Sequence, residues 1–331
     1  VFLKVLRSTR PRVIFLVVLA LGITWAGAFS DPAGFSLPVN ETSPMPLYGL
    51  LKSLAGDHAH AGTILALALL SLMAVLMVYL NTTFFFISER TFLPALFYIL
   101  LVALFPGNQV LNPVLPAAIL LTVAFIRIMN AYREPTAARE YFDAAILIST
   151  GSLFYANIIW FGILLIVGMV LLRGVNPREI AISLIGLMTP YYFLIGVYLI
   201  TGSDIHAFFS AFRDNLFLEN EGNPLTVFET VIVVYAGLLL LAGAGNLVIN
   251  LNSKKIKARK IFYFFSWVMF LSLALKVFLP SVSWEMVWIT GIPASYFMVN
   301  HFLFARSRTV TDILFSLFFI LVFIRQVMRI F

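Results

Sequence analysis

The chain has 331 residues, 61% of them hydrophobic and 11% charged, with a formal net charge of +7 and no cysteine. Soluble domains carry about 25% charged residues. Here apolar runs of about 18 residues or more recur throughout, the composition of a polytopic helical membrane protein. Excluded are a transmembrane barrel, whose strands alternate, a disordered chain, and disulfide, Fe–S or Cys-type zinc chemistry.

In chain order, Lys4, Arg7, Arg10 and Arg12 precede an apolar stretch from Val13, with Ala26-Gly27-Ala28 near its end. The stretch resembles a secretory signal; we read it as a retained first helix. Further spans are expected near 62–86, 91–105, 112–129, 179–201, 226–250, 261–279, 285–305 and 310–327. Pro94 falls in a first turn, where proline is tolerated. As one helix, 142–172 would be about 46 Å long against a hydrocarbon core of about 30 Å. Gly151, Ser152 and Asn157 interrupt it, so two short arms, 142–155 and 158–172, are expected to form a hairpin.

Charge tests this topology. With the N-terminus inside, most of the 22 Lys and Arg fall in cytoplasmic loops, as the positive-inside rule requires. They meet anionic lipid there, and no nucleic-acid partner is expected. Basic loops flank 142–172 on both sides, so the chain must return to the side it left. The expectation is a single all-α integral membrane domain over 1–331, a transmembrane bundle of about eleven helices counting both hairpin arms. It lies in a bacterial inner membrane with its N-terminus cytoplasmic.

The two longest loops, 31–61 and 202–225, are both expected on the outer side. In 46–57 the apolar residues Leu47, Leu50, Leu51 and Leu54 share a helix face, and in 204–217 Ile205, Phe208, Phe209, Phe212 and Leu216 repeat that spacing. Both segments read as interfacial amphipathic helices. Polar residues gather in the same loops, including Asp31, Lys52, Asp57, His58, His60, His206 and Arg213. His58-Ala59-His60 lacks third and fourth ligands, so no metal is expected. No G-x-x-x-x-G-K-[ST] phosphate loop occurs, and no cofactor is expected. Glu229 and Lys276 lie at similar depth near the outer ends of their spans, as a possible intramembrane ion pair or as snorkelling charges. Gly243, in Ala242-Gly243-Ala244-Gly245, suits a close helix contact.

Several stretches carry a resemblance: Phe2-Leu3-Lys4-Val5-Leu6-Arg7-Ser8, Pro46-Leu47-Tyr48, Arg90-Thr91-Phe92-Leu93-Pro94-Ala95, Phe142-Asp143-Ala144, Ser152-Leu153-Phe154-Tyr155, Asn176-Pro177-Arg178-Glu179 and Thr189-Pro190-Tyr191. Together, over residues 1–200, they resemble an uncharacterised family of polytopic inner-membrane proteins from Bacteroidota. That resemblance implies a lipid-linked sugar substrate. An acid, Asp31, directly after the first span and an interfacial helix at 46–57 also resemble the GT-C membrane glycosyltransferase superfamily. This chain departs from it in having Pro32 after Asp31, no paired acid, and no outer soluble domain. The resemblance implies a transferase using a polyprenyl-phosphate-linked sugar at the outer face. Asp31 would take a proton from the attacking hydroxyl, and Lys52, Arg213, His58 and His206 would meet the phosphate. The alternatives are a non-enzymatic scaffold or lipid-handling subunit of an envelope complex, and a secondary transporter. The partners expected are membrane lipid and envelope-complex subunits.

Overall fold

Apolar residues that cannot find water must bury their backbone polar groups in helices, and helices make up most of what the computed structural model of the chain describes. It describes residues 11–30, 44–56, 59–84, 86–87, 91–105, 107, 109–134, 136–219, 225–251, 254–304 and 308–330, and no strand occurs among them. The α-helices are α1 (Pro11–Ser30), α2 (Pro46–Ala55), α3 (Ala59–Phe84), α4 (Leu93–Val102), α5 (Val114–Asn130), α6 (Ala138–Ser152), α7 (Ile163–Gly168), α8 (Pro177–Thr201), α9 (Ile205–Phe217), α10 (Val227–Asn250), α11 (Ile256–Phe278), α12 (Val287–Phe304) and α13 (Arg308–Ile330). Their starts follow local chemistry. The Asn176 side chain caps α8, Asp204 caps α9, and Thr226 and Glu229 form a reciprocal capping box on α10, each satisfying backbone N–H groups that the first turn leaves open.

Among the described residues six segments are long and apolar enough to cross a membrane: His60–Phe84, Ala156–Arg173, Pro177–Thr201, Val227–Asn250, Ile256–Phe278 and Thr309–Met328. Val13–Phe29, Leu93–Val102 and Val114–Asn130 are shorter apolar helices. The chain is a helical membrane protein; among the described residues six segments reach full span length, where about eleven membrane helices, two of them short hairpin arms, were expected. Burial explains part of the difference. From Gly291 to Asn300 every residue of α12 is buried, so protein rather than lipid surrounds that helix and it carries polar residues such as Ser295 and Asn300. Its aromatic surroundings include Phe86, whose ring stacks on Phe265 and on Tyr296, each at 4.7 Å.

The segment 138–173 is the expected hairpin, with shifted bounds. Its first arm is α6. Its second arm, Ala156–Arg173, runs as a 3-10 turn (Ala156–Gly162), α7 and a single π turn (Met169–Arg173). Glu179 closes it. The Ala137 N–H donates to Glu179 Oε1 at 3.3 Å, and the Arg173 guanidinium pairs with the same oxygen. One carboxylate holding residues 137 and 173 means that the second arm ends where the first began. Gly186 seats α8 on this hairpin, since a Cβ there would lie 2.8 Å from Ala145 Cβ and 2.9 Å from the Phe142 carbonyl oxygen.

The basic loops converge on one end of the bundle. The Lys254 ammonium lies over Phe262 and Phe304, at 5.2 and 5.0 Å. Lys257 lies over Phe84 and Tyr132, at 5.2 and 5.8 Å. Lys260 lies 5.6 Å over Tyr132 and donates to the Leu172 carbonyl at 3.4 Å. Arg127 faces Glu140 and Asp143 at 3.5 and 3.8 Å. Such half-exposed pairs contribute little stability, but they place the ends of α3, α5, α12 and the hairpin with the start of α11. The hairpin turn, α2 and α9 form the opposite end, called here the tip.

The last helix lies along α10. Tyr235 Oη–H donates to the Leu314 carbonyl at 2.8 Å, and Arg325 pairs with Glu229 at 2.5 Å. Arg325 is therefore held at the tip, although its charge alone argues for the basic end. The partner supplied by the first turn of α10 offsets that preference.

Candidate functional site

The tip is assembled from the hairpin turn outward. After Ser152 the chain leaves α6 through Tyr155, which is extended (φ −139°, ψ 106°), and re-enters as a 3-10 turn. Helix α2 attaches to this turn through the Leu47 N–H, which donates to the Leu153 carbonyl at 3.1 Å. Helix α9 attaches through buried Phe208 and Leu216, which cluster with Met45, Leu153 and Ala156. Both expected amphipathic helices therefore exist and dock on the same end. Their inward faces differ in detail. In α2 the buried residue is Tyr48, whose hydroxyl donates to the Leu111 carbonyl at 3.1 Å, whereas Leu50 and Leu54 are 60% and 82% exposed.

Beneath α9 lies a buried polar cluster. Asn157, fully buried, donates through Nδ2 to the Asn215 carbonyl and to Ser281 Oγ, both at 3.3 Å. Ser281 donates in turn to the Leu216 carbonyl at 2.7 Å. Asn157 Oδ1 and Trp160 Nε1 are buried without a hydrogen-bond partner among the described residues. Glu285 completes the cluster from the turn Trp284–Met286, where Ser283 caps its N–H. The side chain is buried, and desolvation, which disfavours a carboxylate, pushes its pKa up from 4.5 to about 7. Burial first, then the nearby Glu285 carboxylate, raises the Tyr155 hydroxyl above its ordinary range.

On the other side of that turn a groove runs between α10 and α11, with α12 as its floor. Helices α10 and α12 both run from the tip to the basic end. They meet at Gly243, where a Cβ would lie 2.6 Å from the Phe297 carbonyl oxygen. A side chain there would force them apart, so the close contact read from the sequence is made. Closer to the tip, a Cβ on Gly237 would meet nothing within 4 Å. The space left is a cavity of about 170 Å³, walled by residues such as Phe105, Ala236, Gly237, Leu240, Leu273 and Met298. At its mouth are Lys276, Ser283 and Trp284, which also line an adjoining recess of about 330 Å³ beside Pro280 and Val282. The Lys276 ammonium donates to the Val282 carbonyl at 2.9 Å and lies 4.9 Å over the Trp284 ring. Trp284 is itself stacked on Phe105 at 5.4 Å.

The residues singled out from the sequence divide clearly. Asp31 and His58 lie outside the described residues. Lys52, His206 and Arg213 are exposed on the tip helices. The Arg213 guanidinium faces its neighbour Asp214 at 3.2 Å, with 73% of the side chain exposed. These three line none of the cavities described above. The intramembrane pair of Glu229 and Lys276 is corrected: Glu229 is taken by Arg325, and Lys276 turns to Val282 and Trp284. Their depths were legible, but they face different neighbours, because α13 packs on α10 while the turn after α11 folds under Lys276. Among the described residues no group of three or more His, Asp or Glu could hold a metal ion. Sequence reasoning missed Glu285 as a buried acid and the groove itself. The signal available was Trp284-Glu285 flanked by Ser281 and Ser283, a polar break between two apolar runs.

Residues 45–331 match the profile of a family of unknown function (DUF6427), and the chain belongs to that family. No curated protein and no solved structure matches it.

Proposed function

We propose that this member of a family without an assigned activity is a lipid-handling integral membrane protein of the bacterial inner membrane, working at the tip end. The basic end takes the cytoplasmic side, as the positive-inside rule directs, and the tip faces outward. Helices α2 and α9 then lie in the outer headgroup region, where exposed Leu50, Leu54 and Phe209 insert among acyl chains.

The observation that carries this reading is the groove between α10 and α11. Its lining is apolar and its mouth polar, the layout that fits a molecule with a hydrocarbon chain and a polar head. Its side opening faces the bilayer, where Leu241, Phe270 and Val277 are strongly exposed. A chain from the outer leaflet enters sideways without crossing water. A volume of about 170 Å³ is below the roughly 300–1,000 Å³ of pockets that enclose drug-sized ligands. It takes part of one chain, and the rest of the lipid stays in the bilayer.

The test is native mass spectrometry of the purified protein released from lipid nanodiscs. The reading expects one retained lipid per chain, reduced when Gly237→Trp fills the groove. Equal retention in the parent and the filled variant contradicts it.

A transferase reading keeps one specific support. Glu285 is a buried acid at the tip, with a pKa near the operating range of a general acid or base. It would serve a polyprenyl-phosphate-linked sugar in the way the resemblance assigned to Asp31. Transfer of a labelled sugar from such a donor, lost in Glu285→Gln or in Asp31→Asn, supports this second reading. Absence of transfer by the parent protein removes it.

A further inference from the structure

We infer that Lys276 is the headgroup site of the groove, and that its ammonium recognises the phosphate of an anionic membrane lipid whose chain lies between α10 and α11. The inference rests on the lipid-handling reading and adds the chemistry of the head to it.

Position comes first. Lys276 lies in the last turn of α11. A lysine at the end of a span ordinarily extends its stem and carries the charge out to water. Here the ammonium turns back over Trp284, which is fixed by its stack on Phe105. The charge is thereby held over the mouth of the groove, where the apolar space and the polar recess meet.

Valence comes second. An ammonium has three donors, and the Val282 carbonyl accepts from one of them. No carboxylate pairs with Lys276 among the described residues. Glu229, the acid of similar depth, is committed to Arg325 and to the cap of α10. A half-buried charge without an opposite charge is costly at the edge of a membrane, and an anionic headgroup removes that cost. Ser283 adds a hydroxyl on the same rim. A cation with free donors beside a hydroxyl matches a phosphate, which offers several strong acceptor oxygens. An uncharged lipid would fill the groove and leave the ammonium unmatched.

The experiment compares binding of four probes in zwitterionic nanodiscs by native mass spectrometry: a polyprenyl phosphate, the uncharged polyprenol of equal length, phosphatidylglycerol and phosphatidylethanolamine. For the parent protein the expected result is about tenfold preference for polyprenyl phosphate over polyprenol, the scale of one charge-assisted hydrogen bond. Lys276→Gln should lose that preference while still retaining polyprenol, which shows that the variant is folded and its groove intact. Lys276→Arg should keep it. Preference for phosphatidylglycerol over phosphatidylethanolamine, lost in Lys276→Gln, assigns the phosphate to a diacyl lipid, and preference confined to polyprenyl phosphate assigns it to a single-chain lipid. Lys276→Gln with the parent's preference overturns the inference. Parent protein that holds both polyprenyl probes equally, and phosphatidylglycerol no better than phosphatidylethanolamine, overturns it too, with the lipid-handling reading intact. Parent protein that retains none of the four overturns that reading as well.

Discussion

Replacing Gly243 by alanine adds one methyl group at the crossing of α10 and α12. The new Cβ would stand 2.6 Å from the Phe297 carbonyl oxygen and 2.9 Å from its carbon. Both are backbone atoms of a helix buried in the bundle, so neither can rotate away. Ordinary contact begins at 3.4 Å, and the helices must part by several tenths of an ångström. Overpacking of this kind costs about 1–3 kcal/mol. The exchange of glycine for alanine in a helix returns about 0.8–1 kcal/mol, which leaves a net loss of up to about 2 kcal/mol. Gly237→Ala supplies the control, because it adds the same methyl to the same helix where nothing lies within 4 Å. Reversible unfolding of both variants by SDS in mixed micelles, followed by tryptophan fluorescence, measures the difference. Gly243→Ala should unfold at lower SDS than the parent, and Gly237→Ala at the parent's midpoint or above it. Equal midpoints for the two variants would refute the reasoning that Gly243 pins the crossing of α10 and α12.

Four further outcomes are expected. Glu285 is more basic in the folded protein than in the unfolded chain, so the folded state binds more protons between pH 4.5 and about 7. Its contribution is fully present below the lower value and is lost as pH rises through the upper one; unfolding of the parent across that window should show the decline, and Glu285→Gln should flatten it. Glu229→Gln and Arg325→Gln should each destabilise, with a coupling of about 1–3 kcal/mol in a double-mutant cycle, and a coupling near zero would remove the ion pair's role in holding α13 to α10. Glu179→Ala, which removes the acceptor of the Ala137 N–H and a carboxylate facing Arg173, should destabilise by about 1–3 kcal/mol, measurable by the same SDS titration. The chain has no cysteine, so single cysteines report sidedness cleanly: Ser53→Cys and Ser210→Cys should react with an impermeant maleimide in intact spheroplasts and Lys255→Cys only after lysis, and the reverse pattern would invert the topology.

Some of this architecture is readable from the sequence because it depends on local spacing or on charge bookkeeping along the chain. The hairpin is such a case. Its reversal follows from basic loops on both sides, and its bounds shift because the break falls at Leu153–Tyr155 rather than at Asn157. Helices α2 and α9 follow from i, i+3, i+4 spacing, but spacing does not say which residue docks. Tyr48 is buried in place of Leu50 and Leu54 because its hydroxyl reaches the Leu111 carbonyl, 63 positions away. The proposed pair of Glu229 and Lys276 failed for a related reason. Hydropathy fixes a residue's depth but not the direction it faces around the helix, and the partner of Glu229 is 96 positions on. Glu285 reads as the start of a span. Its burial needs the hairpin turn beside it, and the Asn157–Ser281 bond that brings the hairpin to the turn after α11 spans 124 positions. The groove is the least legible feature. Its lining comes from α4, α10, α11, α12 and the turn before α12, a property of the packing and not of any segment.

The claim that a lipid chain occupies this groove is tested most directly by a photoreactive lipid phosphate with a diazirine in its chain, activated in membranes containing the protein. Helix α8 serves as the internal reference, because it exposes residues such as Tyr192, Phe193 and Ile200 and random labelling from the bilayer must strike it heavily. The account predicts crosslinks concentrated on Val233–Leu240, Leu273–Lys276 and the groove floor of α12, in excess over α8 and reduced by unlabelled lipid phosphate. Labelling that follows exposure, strongest on α8 and insensitive to competitor, would contradict it.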